Sequence, residues 1–186
     1  MVSILPWEMH DADALSKLVS EVSEVDLRNS RLVQNSEMSV DWIANLSALQ
    51  FHREYHFAIW DNDTLVGDAG FRVADSPFML TASVFWAIPQ KFKYEDLMSE
   101  VVSASLAAFK NKTNSTVLVT SALVEDQATI LALNTNKFRH VGTYHGVVFE
   151  SNKFKDLAVF EYINSEFMKK SDKFASRTTS FYDVAK

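Results

Sequence analysis

The sequence has no cysteine and little glycine or proline, with four glycines and three prolines in 186 residues. The absence of cysteine excludes a disulfide framework, a thiolate metal site, an iron–sulfur cluster and a cysteine nucleophile. The few glycines form none of the loops Gly-x-x-x-x-Gly-Lys, Gly-x-Gly-x-x-Gly or Gly-x-Ser-x-Gly. Kinase-like, nicotinamide-dependent and hydrolase activities therefore have no local support, and a flexible linker is excluded.

Positive charge is also scarce. With 18 Lys and Arg against 24 Asp and Glu, the formal net charge is −6, which gives no field to attract phosphodiesters and argues against nucleic-acid binding. No uncharged apolar run reaches the roughly 20 residues that span a bilayer, and the first residues show neither a basic start nor a cleavable apolar stretch. We therefore predict a cytoplasmic protein that binds neither nucleic acid nor membrane.

Apolar residues are abundant, at 47% of the chain with 12% aromatic, so that burial can offset the entropy of ordering the backbone. The length suits one domain, because single cores usually organise about 100 to 200 residues. We assign this domain to residues 1–164. The polar tail, residues 165–186, is expected either to dock as a helix or to fray.

Apolar periodicity predicts the elements. Helical spacing predicts helices after Asp13, after Ser39, over 95–110 and after Asp126, with a polar, poorly periodic stretch at 24–37. Alternation, β-branched residues and turn signals predict strands at 3–7, 56–60, 65–73, 79–88, 116–121, 138–149 and 157–163. In the third strand, Leu65 is expected on the same face as Gly67 and Phe71.

The resulting order is β-α-α-β-β-β-α-β-α-β-β. Strand-helix-strand units lie in the middle, and antiparallel hairpins lie at both sides. This order predicts an α+β (mixed α/β) fold with a central, mostly antiparallel twisted sheet flanked by helices.

Several local stretches, in this order and spacing, resemble the GNAT superfamily of acetyl-CoA-dependent N-acyltransferases. Within it they resemble the branch of ribosomal-protein N-terminal acetyltransferases, over roughly residues 3–163. The stretches are Leu5-Pro6-Trp7, Asp11-Ala12-Asp13-Ala14-Leu15, His56-Phe57-Ala58-Ile59-Trp60, Leu65-Val66-Gly67, Gly70-Phe71-Arg72, Phe85-Trp86-Ala87-Ile88-Pro89, and Val124-Glu125-Asp126-Gln127-Ala128-Thr129-Ile130 running to Phe138 and Val141-Gly142.

The resemblance implies a site for acetyl-CoA as co-substrate, with no metal. The strand over 79–88 is expected to carry a bulge and to bond the pantetheine amides, and the loop after it to wrap the pyrophosphate at the start of the long helix, where free N–H donors favour anions. The residues that it places at the coenzyme are Trp86, Ala87, Ile88, Lys91, Phe92, Lys93, Tyr94, Glu95, Asp126 and Thr129.

The loop over 90–96 departs from the family pattern, which usually has two glycines flanking one residue. It contains no glycine, and Glu95 and Asp96 place negative charge where the diphosphate is expected, which would weaken binding. Lys91 and Lys93 could compensate by pairing with phosphate. The alternative is that both lysines are solvated and that the two acids cap the helix.

Two more family positions differ. Asp126 stands where relatives place a pantetheine-binding Asn, with Thr129 after it, but an ionised Asp can only accept hydrogen bonds; the alternative is that Asp126 is simply an N-cap. Leu133 stands where many relatives have a Tyr that protonates the departing thiolate, and Lys137 stands in place of a Gly. The usual acid is therefore missing.

Tyr144 and His145 are the candidate catalytic residues, because acetyl transfer needs an amine to lose a proton and a thiolate to gain one. As neighbours on a strand they are expected on opposite faces, so at most one reaches a cleft; both can equally be packing residues. His52 and His56 lie four apart but lack a third ligand, and no convincing metal site is found.

Two functions remain open at the level of sequence. One is an N-acetyltransferase in which the amine of a small molecule or peptide, including a protein N-terminal α-amine, attacks acetyl-CoA directly. The alternative is a catalytically degenerate GNAT-fold module with a binding or regulatory role and weak or no coenzyme affinity. An exposed edge strand would also permit a homodimer.

Overall fold

In the computed structural model, seven strands form one sheet with helices on both faces, which confirms the predicted α+β class. The structure describes residues 1–32, 35–51, 53–74, 81–109, 112–113 and 115–165. The elements of these residues are β1 Val2–Pro6, α1 Ala12–Glu21, α2 Glu24–Ser30, α3 Ser39–Ala44, α4 Leu46–Phe51, β2 Glu54–Asp61, β3 Thr64–Val73, β4 Thr81–Ala87, α5 Glu95–Phe109, β5 Val117–Leu123, α6 Gln127–Thr135, β6 Arg139–Glu150 and β7 Lys153–Ile163.

The strand order in the sheet is β1-β2-β3-β4-β5-β7-β6. Every neighbouring pair is antiparallel except β4 and β5 in the centre, which run parallel. A parallel pair requires a crossover, which α5 supplies between these two strands. The sheet therefore consists of two antiparallel halves, β1-β2-β3-β4 and β5-β7-β6, which meet at the parallel pair of β4 and β5.

Two apolar clusters cover the two faces of the sheet. On one face, α5 and α6 pack over β2 to β5, with fully buried Phe71, Val101, Phe109 and Leu118 at the centre. On the other face, α1, α2 and α3 pack over β2 to β4 with Leu15, Leu18, Leu27 and Ile43. Since each strand alternates its side chains, neighbouring residues such as Phe57 and Ala58 contribute to opposite clusters.

The sequence predicted no helix in the polar stretch at 24–37, and this was wrong for its first part, because Glu24–Ser30 form α2. Ser23 caps this helix by accepting a hydrogen bond from the Asp26 amide at 3.1 Å, and Arg31 ends it with φ of 55°. With Leu27 as its buried apolar residue, the helix is too short to show periodicity.

The predicted second helix is divided into α3 and α4 at Asn45. The Asn45 side chain donates to the Asp41 carbonyl at 2.7 Å, a local bond that competes with helix propagation. In the first hairpin, a bulge beside Trp60 moves Leu65 to the α1 side and Val66 to the α5 side. The predicted face of Leu65 was therefore wrong, because one extra residue reverses the alternation.

The strand β4 pairs with β3 in an unshifted register from Ala82 to Ala87, so the bulge implied by the resemblance is not present in this ladder. The strand β6 has its predicted length and is shifted by one residue, whereas β7 begins four residues earlier than predicted. The two strands are joined by Ser151 and Asn152, both with positive φ. The predicted boundary punctuation at 75–77, the start of the fourth strand at 79–80 and the tail from residue 166 lie outside the described residues.

Candidate active site

The candidate site lies where the two central strands separate. β4 and β5 pair through three residues each, Thr81 to Ser83 with Val117 to Val119, and then diverge. A cavity of about 710 Å³ occupies the opening. Its walls come from the carboxyl halves of β4 and β5, and α2, the N-terminus of α6 and the β6–β7 hairpin surround its mouth. Crevices at the carboxyl ends of parallel strands are the usual binding sites of such sheets.

Half of the residues that the sequence suggested line this cavity. They are Trp86, Ile88, Lys93, Asp126, Thr129 and Tyr144. The other suggested residues are not among the lining residues. They are Ala87, Lys91, Phe92, Tyr94, Glu95 and His145.

Trp86 forms a fixed wall of the cavity. Its indole Nε1 donates to Ser105 Oγ at 2.9 Å, and Ser105 is fully buried in α5. Since a buried indole N–H needs a partner, the small hydroxyl on the helix both makes room for the ring and satisfies it. This contact ties β4 to α5 beside the opening.

Asp126 joins the N-terminus of α6 to the loop after β4. One carboxylate oxygen accepts the Thr129 amide at 3.1 Å as an N-cap, and the other accepts from Lys93 Nζ at 2.8 Å. Lys93 Nζ also lies 2.8 Å from the carboxylate of Asp26 in α2. The three side chains, which we call the Lys93 cluster, are nearly buried and bridge three elements across one end of the cavity.

The charges of the Lys93 cluster do not balance, since two carboxylates share one ammonium. Burial raises the pKa of Asp26 despite the attraction of Lys93. Burial opposes the charge on Lys93, but Asp26 and Asp126 outweigh it and raise the pKa of Lys93. The ammonium is therefore retained well above neutral pH, and the cluster carries a net charge of about −1 when its members are ionised.

The loop between β4 and α5 is a turn of 3-10 helix over Gln90–Phe92. The amides of Phe92, Lys93 and Tyr94 donate to the carbonyls of Pro89, Gln90 and Phe92 at 2.9, 3.1 and 3.0 Å. These backbone donors are thus used within the loop. Lys91, the other lysine of the loop, pairs with Glu21 of α1 at 2.5 Å.

A buried ionic network, which the sequence analysis did not find, lies on the α1 side of the sheet. His56 Nδ1 lies 2.9 Å from Asp68 and its Nε2 lies 3.1 Å from Glu54, and none of the three is exposed by more than a few per cent. Trp7 Nε1 donates to Asp68 at 2.8 Å. Arg72 forks onto Glu54 at 2.7 and 3.1 Å and reaches the cavity wall.

Two members of this network, His56 and Glu54, have shifted pKa values. Burial opposes the charge on His56, but Asp68 and Glu54 outweigh it and raise the pKa of His56 to about 9. Burial also opposes the charge on Glu54, but hydrogen bonds from His56 and Arg72 lower the pKa of Glu54 to about 2. The network therefore holds the Arg72 guanidinium, which stacks 5.2 Å from the centre of the Phe85 ring, in place beside the cavity.

Tyr144 and His145 are separated by an irregularity in β6. Tyr144 pairs with Leu157 and lines the cavity, but the ladder with β7 is shifted between Tyr144 and Val148. His145 lies outside the cavity and bonds Asp156 at 2.8 Å. This bond, with another from the Gly146 amide, lowers the pKa of Asp156.

A smaller groove of about 190 Å³ opens between α2 and the end of β6. It shares Val25, Asn29 and Glu150 with the main cavity, so the two are neighbouring parts of one cleft. Lys155 lies beside them and pairs with both Glu125 and Glu150, which raises the pKa of Lys155. The smaller groove therefore adjoins the main cavity on its α2 side.

The described residues contain no cluster of three or more His, Asp or Glu side chains arranged to hold a metal ion. None of the described helices is long and apolar enough to cross a membrane.

The comparison with family models identifies one family. The model of the acetyltransferase (GNAT) domain matches residues 2–139. RimL, a ribosomal L7/L12 alpha-N-protein acetyltransferase solved with coenzyme A, has a similar structure, with a TM-score of 0.69, 15% identity and coverage of 87% of this chain and 93% of that one.

Two further solved structures are similar. For a ribosomal-protein-S5-alanine acetyltransferase from Vibrio fischeri the TM-score is 0.71 and the identity 13%, over 89% of this chain and 94% of that one. For spermidine/spermine N-acetyltransferase SpeG from Vibrio cholerae the TM-score is 0.70 and the identity 13%, over 91% of this chain and 98% of that one. No curated protein matches the chain. Since the family model matches well over half of the chain, the protein belongs to the GNAT acetyltransferase family.

Proposed function

We propose that the protein is an N-acetyltransferase that transfers the acetyl group of acetyl-CoA to a primary amine. The observation that carries this proposal is the separation of β4 and β5 after three paired residues, with a cavity of about 710 Å³ between them. Membership of the GNAT acetyltransferase family supports the same reaction. The acceptor class is an N-terminal α-amine of a protein or a small amine.

The pantetheine arm fits between the separated strands. Beyond Ser83, the described part of β4 has no ladder partner on its β5 side, so backbone donors and acceptors around Trp86 and Ala87 can pair with the pantetheine amides as a further strand would. Trp86 and Ile88 supply the apolar wall. The site fits this part of the coenzyme by the chemistry of its donors.

The acceptor amine enters from the α2 side, along the smaller groove. Its neutral nitrogen attacks the thioester carbonyl carbon, the carbon–sulfur bond breaks, and the proton lost by nitrogen balances the proton gained by sulfur. Tyr144 is our candidate donor of that proton, because its side chain reaches the cavity from β6. It replaces the acid that is missing where Leu133 stands.

The solved relatives support an amine acceptor in general terms. RimL and the S5-alanine enzyme are described as ribosomal-protein acetyltransferases, and SpeG as a spermidine/spermine N-acetyltransferase. The local stretches quoted above favour the ribosomal-protein branch. An acceptor with a protein N-terminus is therefore the first to be tested.

The test is amine-dependent release of thiol from acetyl-CoA, followed with a thiol reagent, with N-terminal peptides and polyamines as separate acceptors. We expect thiol release and an acetylated peptide of matching amount. Acetyl-CoA in excess over its Kd should also raise the melting temperature, since a ligand that binds only the folded state stabilises it. Release that does not depend on any amine, with no shift in melting temperature, would contradict the proposal.

Tyr144→Phe should lower kcat by about 10²-fold while leaving the melting temperature unchanged, because general acid catalysis typically contributes about 10²- to 10⁴-fold and the side chain is 62% exposed. Tyr55→Phe is the matched control, since Tyr55 stacks on Phe71 in the core, away from the cavity. The loss should be smaller for activated thioesters with a thiol of low pKa, because such a leaving group needs no proton. An unchanged kcat would remove Tyr144 from the mechanism.

A second function is favoured by the loop between β4 and α5. The amides of Phe92, Lys93 and Tyr94 are used inside the loop, and Lys91 and Lys93 are paired with carboxylates. These donors do not match a diphosphate. A GNAT-fold binding or regulatory module with little coenzyme affinity would have such a loop, and it would show no melting shift with millimolar acetyl-CoA.

A further inference from the structure

We propose that the Lys93 cluster makes the site indifferent to the nucleotide half of its thioester donor, so that recognition depends on the pantetheine arm. This inference rests on the proposed function. It concerns which part of the donor the protein binds. It follows from the contact of α2, the loop after β4 and the N-terminus of α6 at one end of the cavity.

The end of the cavity near the Lys93 cluster is where physical chemistry would favour an anion. The N-termini of α5 and α6 both lie at the loop after β4, and a helix N-terminus offers unpaired N–H groups and the positive end of a dipole. A diphosphate between the two helices would normally be stabilised by both. The side chains present here reverse that preference.

The N-terminus of α6 is already occupied by a carboxylate. Asp126 accepts the Thr129 amide and also binds Lys93. The first two residues of α5 are Glu95 and Asp96, so this helix starts with its own negative charges. An incoming diphosphate would meet carboxylates at both dipole ends and would be repelled.

The cation that could offset this repulsion, Lys93, is already paired with two carboxylates. Lys93 is 11% exposed and lies 2.8 Å from each of two carboxylates. Releasing it toward a phosphate would leave Asp26 and Asp126 close together in a nearly buried place without their shared counter-ion, which is costly. The amides of Phe92, Lys93 and Tyr94 are also used within the loop, so these three donors offer the phosphates no contact.

The pantetheine arm is not affected by the cluster. It would run along the separated strands, past Trp86 and Ile88, with its polar contacts to the backbone of β4. The structure therefore separates two parts of the donor site: a wall that suits the neutral arm, and an anionic end that gives the nucleotide no advantage. A pantetheine thioester without a nucleotide should serve as a donor nearly as well as acetyl-CoA.

The test compares CoA with pantetheine by isothermal titration calorimetry on the full chain. We expect the two to bind the natural sequence with Kd values within about threefold of each other. Asp26→Asn removes one unit of negative charge near Lys93 while preserving side-chain size. It should tighten CoA by about tenfold, consistent with one unit charge at close range, and leave the Kd of pantetheine unchanged.

Asp13→Asn is the matched control, because Asp13 is an exposed residue of α1 away from the cavity and the charge change is the same. It should change neither Kd by more than about twofold, since distant surface charges are screened. Melting temperatures of both variants show whether they fold. If CoA binds the natural sequence far more tightly than pantetheine, or if Asp26→Asn does not tighten CoA, this inference is wrong while the proposed function stands. If neither ligand binds any variant, the proposed function fails as well.

Discussion

At the scale of single residues, the His56 network makes a pH-dependent contribution to stability. The pKa of His56 rises from 6.5 to about 9 on folding, so its contribution is complete below pH 6.5 and is lost as pH rises through about 9. We expect the free energy of unfolding to fall by up to about 3 kcal/mol over this interval. Glu54 contributes to the acid side of the profile. Because folding lowers its pKa from 4.5 to about 2, its contribution to stability is complete above pH 4.5 and is lost as the pH falls toward 2.

Urea unfolding at a series of pH values measures this dependence, and NMR of the His56 ring shows which group causes it. The ring should stay protonated at neutral pH and titrate near pH 9. His56→Gln, if folded, should be less stable at pH 6 and should show a flatter profile above it. A His56 ring that titrates near 6.5 would show that the network does not hold its charge.

The sequence predicted individual site residues where their partners are local. Asp126 was recognised as an N-cap because its partner, Thr129, lies three residues away. The pairing of Lys93 with Asp26 was not predicted, since it depends on how α2 packs against the loop after β4. The His56 network was missed for the same reason, because Asp68 comes from the neighbouring strand and only the register places it beside His56.

At the scale of elements, the end of α6 is a Schellman motif closed by a lysine. The Lys137 amide donates to the Asn134 carbonyl and the Phe138 amide to the Leu133 carbonyl, both at 3.0 Å, which is the bonding pattern of that motif. The motif needs a left-handed residue, and Lys137 has φ of 66°. A side chain makes this conformation unfavourable, and glycine does not.

Lys137→Gly should therefore stabilise the protein by about 0.5 to 1 kcal/mol, the strain relieved less the extra entropy of glycine in the unfolded chain. Lys137→Ala is the control, because alanine removes the charge and keeps the Cβ atom, so it should give no gain. The midpoint of urea unfolding measures both variants. Equal stabilisation by Ala and Gly would assign the effect to charge and not to backbone conformation.

The sequence predicted elements well where apolar residues recur over a long segment. The helix over 95–110 and the strand ending before Pro89 were placed within a few residues of α5 and β4, because each has a continuous buried face. The helix α2 was missed since its buried face depends largely on Leu27. The connection between the last two strands was placed correctly after residue 149 but was predicted too long. The two-residue turn at Ser151 and Asn152 was not recognised because neither residue is glycine, although both adopt positive φ.

At the scale of the whole molecule, the charge agrees with the Lys93 cluster. The formal net charge is −6, and the lysines nearest the expected diphosphate, Lys91 and Lys93, are paired with acids. A protein that attracts a polyanion through free cations loses affinity as salt is added, because salt screens attraction. Here the long-range interaction with an anionic donor is repulsive, and screening should act in the opposite direction.

We therefore expect the affinity for CoA to stay constant or to increase as ionic strength rises from about 0.05 to about 0.5 M, where the Debye length falls from over 10 Å to about 4 Å. Pantetheine, which is neutral, should bind equally at both salt concentrations, so it reports any effect of salt on the fold or on apolar contacts. Calorimetric titrations of both ligands at the two concentrations measure the difference. A several-fold weakening of CoA alone would mean that free cations meet its phosphates, and the pairing of Lys93 with Asp26 and Asp126 would then have to break on binding.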